Sequence, residues 1–300
     1  MRNNLIFLLL LISLISISLF CLKDFEFSYN SLDDSFFANE ELFRPFQLKE
    51  NLSNLNAEIA SVILIDNSND RKILFEKNLE EEKGIASLTK LMTAVIVIDN
   101  YPLDSEIEIT REMVATDGTS GGLVRGENIT IEDLLYIMLI DSSNDAAECL
   151  ATKIERDNFI FLMNKKAKTL KMRSSNFTNP TGLDNDNGTY NQSTAKDLSI
   201  LVSEIIKNYP LVKEILSKET YEVLSSEGIS HKLENTNILL KEIPYETWGK
   251  TGYTEIANGC LILMTKTPKD DIMINIIIGS DDRFSEMKKL IDWTQDAFVF

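Results

Sequence analysis

Ser87 and Lys90 stand three residues apart at the head of an almost wholly apolar stretch, Ala86 to Asn100, which reads as a buried helix. On a helix that spacing puts both side chains on one face, within hydrogen-bond reach. The amine can activate the hydroxyl only when neutral, because an ammonium group has no lone pair to receive the proton. Three influences push a lysine here toward neutrality: desolvation by the apolar helix, the positive end of the helix dipole and any second cation nearby. Such a pair can attack a carbonyl with no imidazole. Taken alone, Ser-x-x-Lys also describes a helix-start serine followed by a surface lysine, so the pattern needs company.

Two further clusters supply it. Ser142-Ser143-Asn144 follows the apolar run Leu134 to Ile140, which places a hydroxyl and an amide at a helix end, and Lys250-Thr251-Gly252 opens a strand pattern late in the chain. The elements that must position these groups follow from periodicity. Ile59 to Ile65 reads as a buried strand, 66–70 as a turn and Lys72 to Glu76 as its hairpin partner. Helical patterns occupy 86–100, 130–156, 157–170, 194–207 and 210–217, with Asn179-Pro180-Thr181-Gly182 marking an irregular loop. Strand patterns return at 246–252, 256–266 and 271–279, and a last helix runs from Ser285 to about Ala297. The expected fold is α+β: an antiparallel sheet built from both chain ends, flanked by helices, with an all-helical region inserted.

Composition narrows the chemistry. The chain has 300 residues and a single histidine, His231, so a multi-histidine zinc site is excluded and a Ser-His-Asp triad would have one possible base. No Gly-x-Ser-x-Gly elbow accompanies His231, which is expected at a surface or strand end. Cys149 and Cys260 fall in helical and strand patterns and read as buried free thiols, and without a CxxC or Cys/His cluster no metal or cofactor is expected. The net charge of −17 disfavours nucleic acid as a partner. Residues 1–22 contain an uncharged apolar run, Leu5 to Leu22, behind Arg2, and read as an export signal or an N-terminal membrane anchor. The run ends Ser18-Leu19-Phe20-Cys21-Leu22 without the small residues of a cleavage site, which favours the anchor. Residues 23–56 form an acidic, aromatic-containing connecting segment, and 57–300 the catalytic domain.

The three clusters in this order resemble the signature of penicillin-binding proteins and β-lactamases. From about Ala57 onward the chain is similar to the low-molecular-mass penicillin-binding proteins that act as serine-type D-alanyl-D-alanine carboxypeptidases. The similarity extends to Ser143-Asn144-Asp145-Ala146-Ala147, Asn179-Pro180-Thr181-Gly182-Leu183-Asp184, Ser193 to Leu198 and Asn235 to Leu240. The resemblance implies Ser87 as nucleophile toward the penultimate D-alanine of peptidoglycan stem peptides, and toward β-lactams. It implies Lys90 as general base, Ser142 as proton relay to the leaving amine, and Asn144 holding Lys90 and substrate. Lys250 and Thr251 would receive the terminal carboxylate, Gly252 would admit substrate backbone, and the N–H groups of Ser87 and Tyr253 would form the oxyanion hole. A bacterial, extracytoplasmic location at the membrane follows from the same resemblance.

Two positions depart from the family pattern: Ser143, where glycine is usual, and Tyr253, where many members have histidine. A β-lactamase of class A would carry Glu-x-x-Leu-Asn between Asn144 and Lys250, and none occurs. Endopeptidase or transpeptidase action on cross-links, and a non-catalytic wall-peptide-binding role, remain the alternatives.

Overall fold

Strand β1 (Ile59–Ile65) is buried at every position, because it lies inside a sheet covered on both faces. The computed structural model describes residues 52, 55–66, 70–114 and 121–298. The expected anchor, nearly all of the connecting segment and the centre of the 66–70 turn lie outside the described residues. Residues 48–295 form one compact unit.

Five strands make the sheet, in the order β2-β1-β11-β10-β9, with β2 at Arg71–Lys77, β9 at Thr247–Thr254, β10 at Asn258–Lys266 and β11 at Ile272–Ser280. All pairings are antiparallel, and β1 meets β11 in the register Ile59↔Ile278 to Ile65↔Ile272. The first two strands thus join the last three across the whole chain, as the sequence pattern requires. Alternation along each strand serves two cores. Ile59, Ile63, Ile262 and Ile274 face the inserted helices, whereas Val62, Leu64, Leu263 and Ile277 face the closing helix with Met287 and Leu290.

The inserted region holds helices α1 (Lys90–Asn100), α2 (Ile131–Ile140), α3 (Asn144–Thr152), α4 (Arg156–Thr169), α5 (Ala195–Asn208) and α6 (Pro210–Leu216); α7 (Arg283–Ala297) closes the fold. The pattern read as one helix over 130–156 is two. Ser142 takes a left-handed φ of 60°, which no α-helix accommodates, and the Ser143 hydroxyl accepts from Ala146 N–H as the N-cap of α3. Three small ribbons have no counterpart in the strand reading: β3 (Lys83–Gly84) with β6 (Gln192–Ser193), β4 (Glu106–Glu108) with β5 (Asn128–Thr130), and β7 (Thr220–Leu224) with β8 (Ser230–Glu234). In the last of these only Val223, His231 and Leu233 are buried, so charged residues dilute the apolar alternation.

Candidate active site

The chain leaves β3, passes Ala86 in a left-handed conformation (φ 45°) and makes a 3₁₀ turn, Ala86–Thr89, before α1 begins. Residues three apart eclipse one another on a 3₁₀ turn, so Ser87 sits directly over Lys90. Lys90 Nζ is 2.9 Å from Ser87 Oγ, 2.7 Å from Asn144 Oδ1 and 2.7 Å from the Thr181 carbonyl oxygen. Lys90 Nζ is placed to donate to all three oxygens; once the amine is neutral, its two N–H bonds can serve Asn144 and Thr181 and its lone pair the Ser87 hydroxyl. Burial is the main force holding the Lys90 pKa well below the usual lysine range; the Lys250 charge adds to it and Glu148 opposes it.

Lys250 and Thr251 lie on β9, the sheet's edge strand, buried on the side that meets the 3₁₀ turn. Lys250 Nζ donates to Ser142 Oγ at 2.8 Å and to the Thr251 carbonyl at 3.1 Å. Its pKa is brought down to about 7 by burial first and the Arg283 charge second, with Asp141 opposing. Gly252 is demanded by this packing: a Cβ there would lie 3.0 Å from the Ser87 nitrogen and 3.1 Å from Ala86 Cβ. The close approach is therefore to the backbone of Ser87 itself. Tyr253, one residue on, is 62% exposed, so its side chain stands clear of this contact.

The structure therefore brings Ser87, Lys90, Asn144, Ser142, Lys250, Thr251 and Gly252 together. It also accounts for Ser143, whose buried hydroxyl is spent on the helix cap. His231 lies near the start of β8 but is buried, its Nε2 2.8 Å from Glu127 Oε2. Burial pushes the Cys149 and Cys260 thiols up to about 12, which leaves both unreactive.

Other groups here had no role assigned from the sequence, although Asn179 to Asp184 and Asn235 to Leu240 are among its points of family similarity. The Thr181 carbonyl carries no side-chain signature; it is aimed by Asn179, whose Oδ1 accepts from Thr181 N–H, Thr181 Oγ1 and Gly182 N–H. Gly182 (φ 88°) passes so close to Ala86 that a Cβ would lie 2.0 Å from its carbonyl oxygen. Thr236 Oγ1 is 2.6 Å from Thr251 Oγ1, placed by a turn in which Asn237 N–H donates to Asn235 Oδ1. Arg283, at the start of α7, acts on Lys250 by charge alone, and its buried Nε has no hydrogen-bond partner among the described residues.

A serine facing a buried lysine, with Ser-x-Asn at a helix start and Lys-Thr-Gly on an edge strand, is the arrangement shared by penicillin-binding proteins and serine β-lactamases. The chain belongs to the D-alanyl-D-alanine carboxypeptidase family, which it matches over residues 48–282. It is 32% identical over 254 residues to a D-alanyl-D-alanine carboxypeptidase of Bacillus subtilis, covering 80% of this chain and 63% of that one. It is 31% identical over 258 residues to a D-alanyl-D-alanine endopeptidase of Pseudomonas aeruginosa, covering 82% and 80%. Among solved structures, penicillin-binding protein D2 of Listeria monocytogenes with bound cefotaxime superposes with a TM-score of 0.69 and 33% identity, over 80% of this chain and 97% of that one.

Proposed function

We propose that the protein is a penicillin-sensitive serine D,D-carboxypeptidase that removes the terminal D-alanine from peptidoglycan stem peptides. The observation that carries this reading is the buried Lys90 amine, 2.9 Å from Ser87 Oγ, with Asn144 and Thr181 oxygens taking its two hydrogens. As Ser87 Oγ attacks the penultimate D-alanine carbonyl, Lys90 receives the hydroxyl proton. The developing oxyanion is met by the N–H groups of Ser87 and Tyr253, each such donor being worth about 3 kcal/mol. Ser142, hydrogen-bonded to Lys250, relays the proton held by Lys90 to the leaving amine, so that Lys90 is neutral again as D-alanine departs. Water then hydrolyses the Ser87 acyl-enzyme. Lys250 and Thr251 take the substrate's terminal carboxylate, and the unpaired edge of β9 accepts its backbone as an added strand.

The test is a stem peptide ending in D-Ala-D-Ala, with free D-alanine measured against time. Release that is abolished in Ser87→Ala supports the assignment; binding without release would favour a wall-peptide-binding protein. The Pseudomonas endopeptidase relative gives a second reading its footing, so a cross-linked dimer belongs in the same assay. We further infer an extracytoplasmic location, with residues 1–22 as the membrane anchor, 23–56 as a connecting segment and 57–300 as the catalytic domain. Mass spectrometry of the mature N-terminus decides between anchor and cleaved signal.

A further inference from the structure

The most basic stretch of this acidic chain lies outside the catalytic groups. Between Asp157 and Asp184 there is no acid, and Lys165, Lys166, Lys168, Lys171 and Arg173 fall within that interval, on a chain of net charge −17. Three of them converge. Lys168, Lys171 and Arg173, with Asn164, Ser175 and Asn176, line an open cleft of about 600 Å³ where α4 ends, a volume within the range of small-molecule sites. All three cations are exposed, and none makes an ion pair among the described residues; Lys166, by contrast, turns away to Asp99 and Glu204.

Helix capping does not account for them. Lys171 takes a left-handed φ of 64°, and the turn's own amides satisfy the helix end: Leu170 N–H donates to Lys166 O and Met172 N–H to Ala167 O, both at 2.9 Å. A cation in the last turn also offsets the helix dipole, but Arg173 lies beyond that turn. Asp197, the acid behind the wall, is buried and already accepts from Ser174 N–H at 2.8 Å and Ser175 Oγ at 2.9 Å.

We propose that this cleft is an accessory site for a phosphate-bearing anion. Two ammonium groups and a guanidinium fork present donors only, and three charges in one cleft match a group with two or more negative charges better than a single carboxylate. The rest of the surface repels such a ligand, so binding is confined here. The cleft adjoins the Asn179 loop: Asn164 donates to Phe177 O at 2.7 Å and accepts from Phe177 N–H at 3.0 Å. The source of the phosphate is either a free anion or a phosphodiester polymer of the wall.

Titration calorimetry on the full-length protein in detergent, with inorganic pyrophosphate and with a synthetic glycerol-phosphate oligomer, tests this. The triple variant K168Q/K171Q/R173Q is compared with R125Q/K232Q/K289Q, which removes the same charge elsewhere. At least one probe is expected to bind, at least tenfold more weakly to the first variant and within twofold of wild type to the second. Tighter binding of the oligomer per molecule assigns the polymer; equal or tighter binding of pyrophosphate assigns the free anion. Absence of binding by either probe, or equal losses in the two variants, overturns the proposal. Penicillin acylation of the first variant is expected to match wild type, which separates this test from that of the carboxypeptidase reading.

Discussion

In the mechanism we propose, Lys90 carries the chemistry because burial deprives it of water and it shares its surroundings with a second lysine. Replacing it by arginine keeps the positive charge but supplies a group that does not deprotonate, so the penicillin acylation rate is expected to fall about 100- to 10,000-fold. Stopped-flow or gel-based labelling measures this. Lys250 gives a pH prediction with a definite sign. Its folded pKa is about 7 against 10.5 for a free lysine, so between those values the unfolded chain holds a proton that the folded chain has released. Stability referred to this group therefore rises with pH across that window, by up to about 1.4 kcal/mol per unit, and is flat below it. Urea unfolding at pH 7 and pH 9 is expected to show wild type gaining on Lys250→Met as pH rises. Equal pH dependence in both would contradict the assignment.

At the scale of elements, the site is a meeting of backbone supports. The loop from Asn179 to Gly182 works as a strap behind Lys90, and Gly182 holds it against Ala86. Gly182→Ala adds a Cβ 2.0 Å from a backbone oxygen at a φ of 88° and is expected to slow acylation at least tenfold through loss of the Thr181 contact. The acylation rate of the folded variant measures this. His231→Ala gives the opposite pattern. It leaves Glu127 buried without its partner, costing about 3 kcal/mol in chemical denaturation, while the pH profile of acylation keeps its Lys90-governed shape. The long apolar strands and helices were legible because their periodicity spans whole elements. The ribbon of β7 and β8 was not, because Glu222, Ser230, Lys232 and Glu234 are exposed and only Val223 and Leu233 remain as buried apolar positions. The break at Ser142 falls in the polar run Asp141 to Asp145, which the helical patterns on its two sides bridged. Motif spacing singled out Ser87, Lys90, Ser142, Asn144, Lys250, Thr251 and Gly252, whereas the contact of Thr236 with Thr251 and the charge of Arg283 near Lys250 are set by tertiary packing.

At the scale of the molecule, the two chain ends are bound into one sheet, and Glu286 of α7 fastens that arrangement. Its buried carboxylate accepts from the N–H of Asn56, from Ala57 N–H at 2.9 Å and from Ser280 Oγ at 2.5 Å, tying the entry to β1 to the end of β11. Glu286→Ala leaves the buried donors of Ala57 and Ser280 unpaired and is expected to cost about 2–4 kcal/mol, read as a lower midpoint in urea unfolding. The lone histidine takes its meaning at this scale too: it is buried against Glu127, and the mechanism we propose has lysine as the base. That claim is tested most directly by mass spectrometry of the protein after brief exposure to benzylpenicillin. The account predicts one penicilloyl adduct, located on the peptide containing Ser87, absent in Ser87→Ala and forming faster as pH rises through the Lys90 titration. An adduct that persists in Ser87→Ala, or a rate governed by His231, would contradict it.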